Sequence, residues 1–228
     1  MAVNYIGMAL VLNCGSSSVK YQVVDTTVDE PLAVGLVERV TDHGIAISEI
    51  IARLGDSNSG VDLAQLTVMG HRVVHGGAEF SAPTIIDDDV ERRIALLSTL
   101  APLHNPANLA GISAARKAFP QLPHVAVFDT AFHQTMSEAA YTYAIDKDIA
   151  AEHAVRRYGF HGTSYAYLAH EAPRVMGKRP DEVNIIALHL GNGASACAMR
   201  AGRAIDTSMG LTPLAGLVMG TRTGDIDP

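Results

Sequence analysis

The sequence contains no tryptophan, aromatic residues make up only 5% of it, and two cysteines occur in 228 residues. A core must therefore be built from Val, Ile, Leu, Ala and Met, for which the 48% hydrophobic content is ample, and the composition is not that of a disordered chain. The length allows one large domain or two small ones. Cys14 and Cys197 lie in opposite halves with no second thiol near either, which excludes zinc-ribbon spacing and a disulfide framework and fits a reducing cytoplasm. Positive charge is also scarce. Lys plus Arg number 17 against 24 Asp plus Glu, a formal charge of −7, with no basic run or stripe, so nucleic acid is not an expected partner. No apolar run reaches the ~18 residues of a membrane span. The opening MAVNYIGMALVLN lacks the basic region and A-x-A-like site of a secretory signal, so neither membrane nor export is expected and a cytoplasmic location is.

What is present is an alternation of strand and helix patterns. MALVLN (8–13) and VKYQVVD (19–25) predict two strands around a Gly-Ser turn, with Val19, Tyr21 and Val23 on one face. Residues 32–40 and 44–51 predict further strands, GDSNSG (55–60) a loop, and LTVMGHRVVHGG (66–77) a strand ending in a double glycine. Val90, Ile94, Leu97 and Leu100 keep a three-to-four period after Asp87, which predicts a helix to about Leu100. A second helix is expected with Asn105 as its N-cap, Pro106 at its first position and Pro120 beyond its end. HVAVFDT (124–130) predicts a buried strand delivering Asp129 at its end, where ligands collect in α/β sheets. A helix beginning near Thr163 or Ser164 follows the loop of RRYGFHGTS, and residues 184–206 predict strand, glycine turn and strand. The expected class is α/β.

LNCGSSS (12–18) and LGNGASA (190–196) share the pattern L-x-x-G-x-S, and both interrupt apolar strands, which suggests one hairpin used twice. Glycine admits close approach of backbone N–H groups to an anion, serine adds donors and Lys20 a charge, so GSSSVK suits phosphate. An ordinary polar hairpin turn would read the same way. It is not a Walker A loop, and GNGASA matches G-x-G-x-x-A without the helix that a dinucleotide site requires. His71 and His75 have i,i+4 spacing on a strand without the glutamate of H-E-x-x-H, which favours structural histidines over a zinc site. Arg72, a cation in an apolar stretch, needs a partner that is either a ligand anion or a structural group. Asp129, His161 and Arg222 sit among glycines. With two phosphate-compatible turns they form a set suited to phosphoryl transfer, cations neutralising the charge in flight and a carboxylate handling acceptor or metal.

NCGSSSVKY, GHRVVHGG, APLHNPANLAGI, VFDTAFHQTM, RRYGFHGTS, HLGNGAS, DTSMGLTPLAGLVMGTR and GDIDP, in this order, resemble the motifs of the acetate kinase family over most of residues 10–228. The resemblance implies the acetate and sugar kinase, Hsp70 and actin superfamily: a duplicated actin-like (ribonuclease H-like) fold with a mixed sheet and flanking helices. Its first domain would span 1–145, and its second, beginning at 146, would be incomplete at 228. It implies reversible, direct in-line transfer of the ATP γ-phosphate to acetate with magnesium (or manganese), in a homodimer when full length. By position, Asn13 matches the metal-site asparagine, while Ser16, Ser18 and Lys20 match nucleotide contacts, as do His189, Leu190, Gly191, Asn192 and Gly193 in the second hairpin. Arg72 matches the arginine that holds the acetate carboxylate. Val74, Leu103, Phe160 and Pro213 match the pocket for its methyl group. Asp129, His161 and Arg222 match the catalytic residues. The implied alternatives are a propionate or butyrate kinase, or a non-catalytic actin-like nucleotide-binding module.

Three departures from the family pattern stand out: Tyr165 where histidine is usual, a shortened region between about 40 and 66, and an end at Pro228, a little over halfway along the family's length. The 1–228 segment alone is accordingly expected to be inactive.

Overall fold

The structure, a computed structural model, describes residues 7–227. The expectation drawn from MAVNYI at the start therefore lies outside the described residues, as does Pro228. Two compact units are present: the chain up to His75 with Pro83–Val127, and Gly76–Ala82 with Phe128 onward. The boundary expected at residues 145/146 falls inside the second unit.

In the first unit β1 (Met8–Cys14) and β2 (Ser18–Asp25) form the expected antiparallel hairpin, with Cys14 opposite Val19. Strand alternation puts Leu10, Leu12, Val19, Tyr21 and Val23 into the core and turns Asn13 and Lys20 to the other face. β3 (Ala33–Glu38) pairs with β2, while β4 (Leu66–Val73) runs parallel to β1. A two-residue β5 (Thr84–Ile85) lies antiparallel to β6 (His124–Phe128), which gives a mixed sheet of order β3-β2-β1-β4-β6-β5.

Residues 44–51, expected as a strand, are helical: they lie in α1 (His43–Leu54). Asp42 caps this helix by accepting from the Ile45 N–H at 3.0 Å, and Ala46, Ile47, Ile50 and Leu54 recur at helical spacing on its buried side. The Asp cap and this period outweigh the β-branched isoleucines. α2 (Asp88–Leu96), capped by Asp87, ends in a 3₁₀ turn at Leu97–Thr99, close to the expected Leu100. α3 runs from Asn105 to Ala118. Its N-cap is His104, which makes no side-chain cap bond, and Asn105 is spent elsewhere, as described below. The side chains of α1 and the Ala115–Phe119 end of α3 pack on the inward faces of β1, β2 and β4 as one core.

In the second unit two short helices that the sequence pattern did not announce, α4 (Glu138–Tyr141) and α5 (Lys147–Glu152), precede α6 (Gly162–Met176). Then β7 (Asn184–Leu190), β8 (Ala194–Arg200) and β9 (Arg203–Thr207) form an antiparallel sheet. Met136, Tyr165, Ala187, Cys197, Met199 and Ala204 make its core. Among the described residues, no helix is long and apolar enough to cross a membrane.

Both units thus carry a hairpin where the sequence echo suggested one, but the echoed residues are not equivalent. In the first, Cys14 faces Val19 across residues 15–18; in the second, Leu190 faces Ala194 across residues 191–193. Gly15 opens its turn, Gly193 closes its own, and Ser195 lies within β8 while Ser17 is in the turn.

Candidate active site

The first unit gathers three of the expected residues on the sheet face that points away from its core. Asn13 on β1 faces Lys20 on β2, and on β4 the Arg72 guanidinium donates to Asn13 Oδ1 at 3.2 Å. Lys20 is exposed, Asn13 and Arg72 half-buried. Ser16 is exposed in the hairpin turn, and Ser18 closes that turn by accepting the Gly15 N–H at its carbonyl, 2.8 Å away. Two wholly or nearly buried asparagines fix the chain around this row. Asn105 Oδ1 accepts from the His75 N–H at 3.1 Å and its Nδ2 donates to the His75 carbonyl at 3.0 Å. One turn later, Asn108 accepts from the Val74 N–H at 3.0 Å and donates to the Cys14 carbonyl at 2.6 Å. They tie the end of β4, just past Arg72, to the end of β1. The signal was in the sequence as N-P-A-N, two amides one helical turn apart; the capping rule claimed the first of them.

Val74 is buried here, but Leu103, expected beside the substrate methyl, is 78% exposed. His71 donates from Nε2 to Nδ1 of His124 at 2.9 Å, and His124 in turn donates to the Phe119 carbonyl at 3.1 Å. Burial and then the neighbouring His124 push His71 down to about 3, and burial alone pushes His75 to about 4. Both histidines are core groups held neutral. Among the described residues no cluster of three or more His, Cys, Asp or Glu is placed to hold a metal.

The second unit gathers the other set. Asp129, 1% exposed at the end of β6, accepts from the Thr163 hydroxyl at 3.0 Å, and its carbonyl accepts the Gly162 N–H at 2.8 Å. A side chain on Gly162 would run into that carbonyl, so glycine is required for the loop to pass Asp129 so closely. His161 precedes it in left-handed backbone (φ 61°, ψ 18°), a conformation that costs a residue with a Cβ and recurs at functional sites. Its ring stacks on His189 with centroids 4.0 Å apart, and its Nδ1 lies 2.8 Å from Ser195 Oγ, which is itself 2.5 Å from Tyr165 Oη. Arg222 donates to the Pro213 carbonyl at 2.5 Å. A Cβ on Gly193 would stand 2.6 Å from Arg222 Nη2 and 3.4 Å from the His161 ring, so both cationic or donor groups converge on the second hairpin. The Asn192 carbonyl accepts the Gly220 N–H at 3.2 Å, which joins that hairpin to the Arg222 loop. Phe160 is buried, its carbonyl hydrogen-bonded to His133 Nε2 at 3.0 Å, while Leu190, Gly191 and Asn192 are exposed.

Ser195 and Thr163, which hydrogen-bond His161 and Asp129, were read in the sequence only as part of the L-x-x-G-x-S echo and as a helix start, because each lies 34 positions from its partner. Both cysteines are buried free thiols, and burial pushes them up to about 12, far from a thiolate at neutral pH.

Comparison with known proteins agrees with this geometry. The model of the acetokinase family matches residues 8–44 and 39–228, in two pieces that meet at the start of the segment expected to be short. The acetate kinase of Streptomyces coelicolor is 54% identical over 243 aligned residues, covering 96% of this chain and 60% of that protein. The crystal structure of Porphyromonas gingivalis acetate kinase superimposes with a TM-score of 0.92 at 42% identity, over 97% of this chain and 62% of that one. A propionate kinase from Francisella tularensis gives 0.91 at 41%, over 97% and 62%. The chain thus spans about 60% of the length of the relatives it matches. With a family model matched across nearly all of it, the chain belongs to the acetokinase family.

Proposed function

We propose that the protein of which this chain is the sequence is an acetate kinase, which transfers the γ-phosphoryl group of ATP to acetate and returns it in reverse. The carrying observation is the convergence of His161 and Arg222 on Gly193 in the second hairpin. A carboxylate oxygen of acetate forms a bond to the γ-phosphorus while the bond to the β,γ-bridging oxygen breaks, its electron pair leaving with ADP. Little covalent work falls to the protein, so rate comes from alignment and from neutralising charge on the equatorial oxygens. Arg222 and His161 supply donors there. Asp129, held by Thr163, orients acetate or a water. By the family resemblance, Arg72 pairs with the acetate carboxylate, and Val74, Leu103, Phe160 and Pro213 bound its methyl group. Ser16, Ser18, Lys20 and residues 189–193 contact the nucleotide phosphates.

Magnesium or manganese fits only as an ion that arrives with the nucleotide. Asn13 Oδ1 offers one hard oxygen, now accepting from Arg72, and magnesium is commonly held by one or two protein oxygens with phosphates and waters completing its shell. Bound so, it would neutralise phosphate charge. The reading also places the enzyme in the cytoplasm as a homodimer.

The likeness to a propionate kinase favours a second reading, transfer to a slightly longer carboxylate. One methylene is worth only about 1–3 kcal/mol in an apolar pocket, so overlap between the two substrates is expected. Coupled ADP release by the full-length protein with acetate, propionate and butyrate decides between them. In the same assay Arg222→Ala should lower turnover by about a hundredfold or more. Turnover within a few-fold of the parent removes Arg222 from the assignment, and no carboxylate-dependent ADP release at all removes the kinase reading.

A further inference from the structure

A short hydrogen-bonded series leads away from the reacting side of His161. Ser195 Oγ lies 2.8 Å from His161 Nδ1 and 2.5 Å from Tyr165 Oη. Ser195 and Tyr165 are both 0% exposed, so protein groups and not bulk water must satisfy them. Each hydroxyl has one proton to give and two lone pairs to accept with. Among the described residues Ser195 Oγ is the one hydrogen-bond partner that reaches Tyr165 Oη, so the phenolic proton has no other acceptor. The phenolic proton is then directed to Ser195, Ser195 gives its own to Nδ1 of His161, and every member is satisfied. The reverse polarity, His161 Nδ1–H to Ser195 and Ser195 to Tyr165, would leave the phenolic proton no acceptor among the described residues. An imidazole that accepts at Nδ1 carries its hydrogen at Nε2.

We propose that Tyr165 is a positioning residue which, through Ser195, holds His161 as the Nε2–H tautomer, so that a neutral imidazole presents its donor to the transferring phosphoryl group. The last clause rests on the proposed kinase role of His161; the tautomer does not. Tyr165 is well placed for such a task. It opens from the first turns of α6, the Tyr165 N–H donating to the His161 carbonyl at 3.1 Å, so hydroxyl and imidazole are fixed by one helix. Burial raises the pKa of the phenol, which keeps its proton available for donation through the neutral range.

The test is the ring-nitrogen NMR signature of His161 in the full-length protein, labelled with ¹⁵N-histidine, without nucleotide or acetate and assigned by His161→Gln. The parent should show an unprotonated Nδ1 and a protonated Nε2. Tyr165→Phe, which keeps the ring and removes one hydroxyl, and Ser195→Ala should each move the tautomer ratio roughly fivefold to tenfold toward Nδ1–H, about the worth of one hydrogen bond. Ser195→Thr should restore it. A parent found as the Nδ1–H tautomer, or a natively folded Tyr165→Phe with an unchanged ratio, overturns the proposal. Acetate kinase assays of the same variants separate the two readings. A shifted tautomer with lowered kcat and an unchanged KM for acetate supports both. A shifted tautomer in a protein without kinase activity leaves the positioning role standing and removes only the kinase.

Discussion

At the scale of single residues, the buried histidines of the first unit make folding sensitive to acid. His71 and His75 titrate at about 3 and about 4 in the folded chain, against 6.5 as the ordinary value, because burial penalises the imidazolium. Above pH 6.5 both are neutral whether folded or not, and the shift has no effect. Below it the unfolded chain takes up protons that the folded chain refuses, so stability falls as pH drops from about 6.5 toward 4 and levels for these groups only below their folded values. Each histidine contributes a slope of at most about 1.4 kcal/mol per pH unit. Urea titrations from pH 7.5 to 4.5 should show the decline, and His71→Gln, which can still donate to His124 without titrating, should flatten it. An unchanged slope in that variant would mean that other groups set the acid sensitivity. The sequence showed these histidines as structural, since the strand pattern lacked any zinc-site glutamate, but their depressed titration comes from burial, to which His124, 53 positions from His71, adds for His71 alone. Tyr165 was legible only as a departure from the family pattern. Its partner Ser195 is what gives that departure a meaning, and a strand residue 30 positions from the helix residue it meets is not visible in a local window.

At the scale of elements, strands whose faces alternate were legible, because inward and outward residues differ in kind: Leu10, Leu12, Val19 and Tyr21 against Asn13 and Lys20. Residues 44–51 were misassigned because Ile45, Ile47, Ile50 and Ile51 favour strands locally, whereas the contacts of α1 with α3 and the cap at Asp42 decide for helix. If the cap matters that much, Asp42→Ala should cost about 1 kcal/mol in chemical denaturation, while Asp42→Ser should recover most of it. Equal stability of all three proteins would assign the helix to tertiary packing alone. The short α4 and α5 were illegible for a related reason: four and six residues are too few to establish a period. The L-x-x-G-x-S echo erred in the opposite direction. It found two hairpins by matching residues that occupy different places in them, since a four-residue turn and a three-residue turn cannot share a register.

At the scale of the whole molecule, the eight ordered motifs carried the family likeness, and NCGSSSVKY, VFDTAFHQTM and HLGNGAS among them fall at strand ends and turns. Apolar packing residues can be exchanged when volume is kept, so they point to a fold class more than to a family. One packing feature nevertheless has a large-scale consequence. In the second unit, β7 turns Ala187 toward the core beneath α6, while Ile186, Leu188 and Leu190 stand 76%, 55% and 71% exposed in a row on the opposite face. An antiparallel sheet can keep one face in water, but that face is then normally polar, and three large aliphatic side chains in line make an adhesive surface. A polypeptide of these 228 residues should therefore bind a hydrophobic dye and associate with rising concentration. Replacing Ile186 and Leu188 together by lysine should suppress both effects, because neither side chain belongs to the core. Sedimentation velocity at several concentrations measures the association. A parent that stays monomeric and leaves the dye dark would show that water tolerates this face, and the apolar row would then have to be explained by β-propensity alone.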